Sequence, residues 1–102
     1  MQTEKISVRV PKGLPPKLVT DYVNRCHTTL PAVVTALDRS DLGYLRIFGH
    51  RLKGTGGAYG IPALTEIGSA IEAAAGRNDT TELRREVAKL EECLSRIEIL
   101  SN

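Results

Sequence analysis

Apolar positions along the chain change period several times, and each change marks an element. Ile6, Val8 and Val10 alternate, while Pro11, Gly13, Pro15 and Pro16 bar an early helix, so residues 1 to 16 read as a short extended or irregular arm. From about Pro16, the positions Leu18, Tyr22 or Val23, Cys26, Leu30, Val33 or Val34 and Leu37 recur at helical spacing, up to the polar run Asp38-Arg39-Ser40-Asp41. Pro31 lies inside this first helix. It lacks a backbone donor and crowds the carbonyl of His27, so a kink near residues 27 to 31, or two shorter helices, is expected.

A second helix takes Ser40 or Asp41 as N-cap and runs to about Tyr59, where Gly60 stops it in a left-handed conformation. Pro62 suits the first turn of a third helix with the stripe Leu64, Ile67, Gly68, Ile71 and Ala74 or Ala75, closed by Gly76-Arg77-Asn78. Asp79 and Glu82 have capping-box spacing, and Leu83, Val87, Leu90, Leu94 and Ile97 follow in alternating steps of four and three. The pattern predicts an all-α protein: an antiparallel four-helix bundle over residues 17 to 102, preceded by the arm.

Composition narrows the function classes. A chain of 102 residues suits a single core, and its 41% apolar and 25% charged residues are ordinary for a globular domain. It holds no run of eighteen apolar residues, and charges interrupt its first residues where a secretory signal would be unbroken, so no membrane association and a cytoplasmic location are expected. A net charge of +2 is too small to imply a nucleic-acid partner. Cys26 and Cys93 lack the paired spacing of a zinc site or redox dithiol and read as buried, reduced thiols. No metal or cofactor is expected on the chain itself.

The second helix is the unusual one, because Gly49, Gly54, Gly56 and Gly57 all fall inside it. At ~1 kcal/mol each relative to Ala, four such residues approach the low end of a domain's total stability, ~5 kcal/mol, so packing or function must compensate. At ~100° per residue, Leu45, Phe48, Gly49, Leu52, Gly56 and Tyr59 share the core side, where Gly49 and Gly56 admit a neighbouring helix. His50, Ile47, Gly54 and Gly57 lie opposite, with Arg46 and Lys53 at the edge. Gly54 and Gly57 leave a bald strip beside the imidazole, over which another protein can approach.

The pattern His50-x-x-Lys53-Gly54-x-x-Gly57-x-x-Gly60 resembles the core motif of histidine-containing phosphotransfer (HPt) domains, and the flanking helices resemble that family's bundle over residues 18 to 100. The resemblance implies that His50 is phosphorylated on its distal ring nitrogen and exchanges the group with an aspartate of a response-regulator receiver domain, in a phosphorelay fed by a sensor histidine kinase. Imidazole suits this, since its ordinary pKa near ~6.5 leaves a neutral nucleophilic nitrogen at cytoplasmic pH. Lys53, one turn on, can face the transferring phosphoryl oxygens. Magnesium would belong to the receiver.

Residues equidistant from the turn of an antiparallel helix pair lie at similar heights, and with Ile61 as midpoint His50 pairs with Glu72. HPt domains commonly carry Glu or Gln there, which implies that Glu72 bonds the proximal ring nitrogen and fixes the tautomer. Ile47, with Arg46, Arg51, Gly54 and Gly57, is expected to form the receiver-docking surface. His27 has no such surroundings and reads as structural or merely exposed.

Two other classes compete. Residues 43 to 75 hold two helices and a glycine turn near Arg46, Arg51 and Lys53, as in a helix-turn-helix, but Ile61 to Gly68 offers no base-reading side chain and Glu72 would repel phosphate. A helical adaptor that binds partners without phosphorylation is the third reading. No nucleotide-binding glycine loop is present, so a phosphoryl carrier, acting as a monomer and without kinase activity of its own, is expected.

Overall fold

The computed structural model describes residues 4–100; the first three residues of the expected arm and the last two of the expected bundle lie outside that range. Its elements are a strand β1 (Ile6–Arg9), helices α1 (Pro16–Asp38), α2 (Leu42–Gly56), α3 (Pro62–Gly76) and α4 (Thr80–Arg96), and a strand β2 (Ile97–Leu100). The four helices form the bundle that the periodicity predicts.

Each helix begins where the chain supplies a start signal. Pro16 opens α1, with its fixed φ and missing N–H suited to a first turn. Asp41, of the two candidates, caps α2 by accepting the Tyr44 N–H at 3.1 Å, and Asp79 caps α4 by accepting that of Glu82 at 3.0 Å. Ser40 instead takes a left-handed φ of 55° in the turn between α1 and α2. Asn78, with φ 58°, does the same after α3, so the reversal falls there and not at Gly76. Helix α1 continues through Pro31 as one element.

Two expected boundaries move. The second helix leaves α geometry at Gly56, and Gly57 to Tyr59 form a tighter 3₁₀ turn before Gly60 reverses the chain at φ 84°. The last helix stops at Arg96, because Ile97 opens β2. β2 pairs in parallel with β1, Ile6 opposite Ile97 and Arg9 opposite Leu100. The arm thus becomes a strand against the chain's other end, and Val8 is buried in the common core.

That core gathers Leu45, Ile61, Leu64, Ile71, Leu83 and Leu90, all fully buried. Helices α2 and α3 form the closest pair, α4 packs on α3 and α1, and α1 returns to α2. Leu18 departs from the expected stripe of the first helix and stays half-exposed. Both cysteines are free; Cys93 is buried and Cys26 only partly so, and burial pushes each thiol above its ordinary pKa.

Candidate functional site

The close approach of α2 and α3 builds the site. A Cβ on Gly49 would lie 2.6 Å from the Glu72 amide nitrogen, and one on Gly56 would lie 2.6 Å from that of Thr65. A Cβ on Gly68 would strike the Lys53 amide nitrogen and stand 2.8 Å from the Gly49 carbonyl. Only hydrogen at these three positions lets the backbones pack at this separation, which accounts for the core-side glycines in physical terms.

At that separation side chains of α3 reach across to α2. Glu72 Oε2 lies 2.9 Å from His50 Nδ1, and Glu72 Oε1 lies 2.8 Å from Lys53 Nζ. An ionised carboxylate only accepts, so His50 Nδ1 carries a proton, and in the neutral ring this is the tautomer whose Nε2 keeps its lone pair. Hydrogen bonds from Lys53 first, and from His50 second, hold the Glu72 carboxyl below its ordinary range and keep it in that accepting form. The His50 side chain is 68% exposed, so an incoming group can reach Nε2 from solvent.

Sequence reasoning did not anticipate that Lys53 would be engaged with Glu72, nor the part taken by Thr65. The Thr65 hydroxyl accepts the Gly57 N–H at 2.7 Å and donates to the Lys53 carbonyl at 3.0 Å, where α2 tightens into the 3₁₀ turn. The signal was available: Thr65, Gly68 and Glu72 follow one another at helical spacing along the side of α3 that meets α2.

Around His50 the surface divides as the glycine pattern implies. Arg46, Arg51, Gly54 and Gly57 are exposed, and Ile47 is 57% exposed, an uncommon degree for a large apolar side chain in this fold. A Cβ at Gly54 would meet nothing within 4 Å, whereas one at Gly57 would rest 3.4 Å from the Thr65 hydroxyl, so Gly57 has a packing neighbour that Gly54 lacks.

Beside Ile47 a groove of about 410 Å³ opens between α1 and α2, with Tyr44 and Phe48 among its apolar walls and Arg25 and Arg51 among its polar ones. Tyr22 and Tyr59 stack nearly parallel in it, with ring centroids 4.2 Å apart. The Tyr22 hydroxyl bonds Thr55 Oγ1 at 2.8 Å, and burial raises the phenol well above its ordinary pKa. His27 lies exposed on α1. Among the described residues no group of three or more His, Cys, Asp or Glu side chains is placed to hold a metal ion, and no helix is long and apolar enough to cross a membrane.

No curated protein and no solved structure matches the chain. The family model described as Hpt domain matches residues 17–99, which takes in α2, α3, α4, all of α1 but its first residue, and the site between α2 and α3. The chain therefore belongs to the Hpt domain family, whose members carry phosphoryl groups in two-component signalling.

Proposed function

We propose that this domain carries a phosphoryl group on Nε2 of His50 and exchanges it with the phosphoacceptor aspartate of a receiver domain, the group entering the relay from a sensor histidine kinase. The observation that carries this reading is the His50–Glu72 hydrogen bond of 2.9 Å, together with the exposure of the imidazole. In the neutral ring the bond puts the proton on Nδ1 and leaves the distal nitrogen of this exposed side chain unprotonated.

In transfer from the receiver, the Nε2 lone pair forms a bond to phosphorus while the acyl phosphate P–O bond breaks and the aspartate departs as a carboxylate. The ring keeps its Nδ1 proton, and the positive charge it gains faces the Glu72 carboxylate. Lys53 starts the step paired to Glu72 Oε1, on the same carboxylate that bonds the His50 ring, and from there turns its ammonium toward the phosphoryl oxygens. Magnesium is held by the receiver.

Docking uses Ile47 and the groove beside it as the apolar part, Arg46 and Arg51 as partners for acidic groups around the receiver's aspartate, and Gly54 and Gly57 as the strip that keeps His50 approachable. The domain works in the cytoplasm as a monomer, without nucleic acid or membrane, and has no kinase activity of its own. A phosphotransfer profile against the receivers and kinases of the source organism tests the reading. The natural chain should gain an acid-labile, base-stable phosphate and His50→Gln should not; equal labelling of both chains, or of neither, refutes it.

A further inference from the structure

Three residues of α3, spaced 65, 68 and 72, grip Lys53 from different sides. The Thr65 hydroxyl donates to its carbonyl, Gly68 packs beneath its amide nitrogen, and Glu72 accepts its ammonium. Glu72 also takes the His50 ring nitrogen, so the phosphoacceptor and the cation beside it refer to the same helix. Thr65 differs from the other two in acting on the backbone through hydrogen bonds alone. Its oxygen stands between the Gly57 N–H and the Lys53 carbonyl, accepting from one and donating to the other, so its single proton is committed.

That commitment has a geometric effect. The α-helix ends at Gly56 and the 3₁₀ turn begins at Gly57, so the last turn of α2 is where its backbone is free to rewind. A change in the winding of residues 53 to 57 rotates the Cα–Cβ bond of Lys53 and displaces an ammonium at the end of a long, flexible side chain. Thr65 pins both ends of that segment to the rigid body of α3.

We infer that Thr65 is a positioning residue of the phosphotransfer site, setting Lys53 through its backbone so that the ammonium stands beside His50. The inference rests on the reading of His50 as phosphoacceptor. Thr65 touches neither the imidazole nor the transferred group; it acts through Lys53.

The test uses phosphoramidate as donor, so that no cognate partner is needed: its P–N bond breaks, a bond from His50 Nε2 to phosphorus forms, and ammonia leaves. Thr65→Val keeps the shape and removes the hydroxyl, and Thr65→Ser restores the hydroxyl. Labelling of His50 should slow about tenfold in the Val variant, short of the roughly hundredfold that an ångström of misplacement can cost, and return to within about twofold in the Ser variant. In a Lys53→Met background, Thr65→Val should slow labelling no further, whereas a general loss of packing would add to the Lys53 effect. Thr65→Ala, which a helix favours, replaces the Val variant if that one does not fold.

Nitrogen NMR of the Lys53 ammonium supplies a readout that does not depend on phosphorylation, and its pairing signal with Glu72 should weaken without the hydroxyl. Full-rate labelling with an unchanged ammonium signal, or additive slowing in the Lys53→Met background, overturns the inference. If the natural chain and His50→Gln stay equally unlabelled, the His50 reading has failed, and the ammonium signal alone still decides for or against Thr65.

Discussion

Gly49 lies so close beneath Glu72 that a Cβ built on it would stand 2.6 Å from the Glu72 amide nitrogen. The residue preceding His50 and the residue that bonds its ring are thus fixed by one backbone contact. Gly49→Ala gains helix propensity of ~1 kcal/mol but must push α3 away, at a cost typical of overpacked cores, ~1–3 kcal/mol. Chemical denaturation should show a net loss of stability, and NMR should show a weakened His50–Glu72 bond. A variant as stable as the natural chain with that bond intact would show that the two backbones separate freely.

Glu72 is predicted to govern which ring nitrogen of His50 carries the proton. Glu72→Ala should mix the tautomers and slow transfer, while Glu72→Gln, whose amide oxygen still accepts, should retain more of both. Nitrogen chemical shifts of the imidazole measure the tautomer directly. Unchanged shifts together with an unchanged transfer rate in Glu72→Ala would remove Glu72 from the mechanism.

Acid should loosen the site through the same residue. Glu72 titrates below its ordinary value of 4.5 in the folded chain, held there by Lys53 and His50. A carboxyl with a lowered folded pKa contributes stability that is complete above its unfolded pKa and lost as the pH falls through the folded value. Natural stability should therefore decline below about pH 4.5 more steeply than that of Glu72→Gln. Parallel curves for the two chains in that window would contradict the assignment.

Substitutions at Gly54 and Gly57 are predicted to separate folding from docking. No atom stands within 4 Å of a Cβ at Gly54, so Gly54→Ala should stabilise α2 by up to ~1 kcal/mol and disturb the fold little. Bulky residues at Gly54 or Gly57 should cut receiver affinity far more than stability, and at Gly57 some stability should also go, because Thr65 lies alongside. Titration calorimetry and thermal melts on the same variants check this; full affinity for Gly54→Trp would move the docking surface elsewhere.

Val8 tests whether the strands belong to the domain's core. It is 2% exposed, and Val8→Ala removes two buried methyl groups, a loss of about 2 kcal/mol. Urea unfolding of the natural chain and the variant measures it. A difference below about 0.5 kcal/mol would mean that the strand adds little.

What the sequence could and could not reveal follows from the range of each signal. Helix starts at Pro16, Asp41, Pro62 and Asp79 are local chemistry and were legible, as was the burial of Leu45, Gly49, Leu52 and Gly56 on one side of α2. The height of Glu72 opposite His50 followed from the symmetry of an antiparallel pair about Ile61. Pairing of Ile6 with Ile97 was not legible, because four-residue strands at opposite ends of the chain carry no local mark of each other. Ile97 also fitted the helical period of Leu90 and Leu94, so the pattern ran on past the true end of α4. Glu86 escaped for the opposite reason: it is buried on α4 with its carboxylate on Lys89, and a hydropathy pattern ranks any Glu as exposed. Thr65, between Leu64 and Glu66, carries no local mark of its role, which needs the position of a second helix.

The parallel pairing of β1 with β2 joins segments at a large sequence separation, which bears on the order of assembly. Its two halves are separated by nearly the whole chain, so closing them early would cost the entropy of the longest loop available, for only four residues of ladder. The helices must first bring the ends together. During synthesis β1 emerges before the helices and β2 after them, so Val8 meets its partner strand only once α4 has been made. A chain cut after Arg96 would keep the residues of all four helices and of the site but would lose the partner of β1.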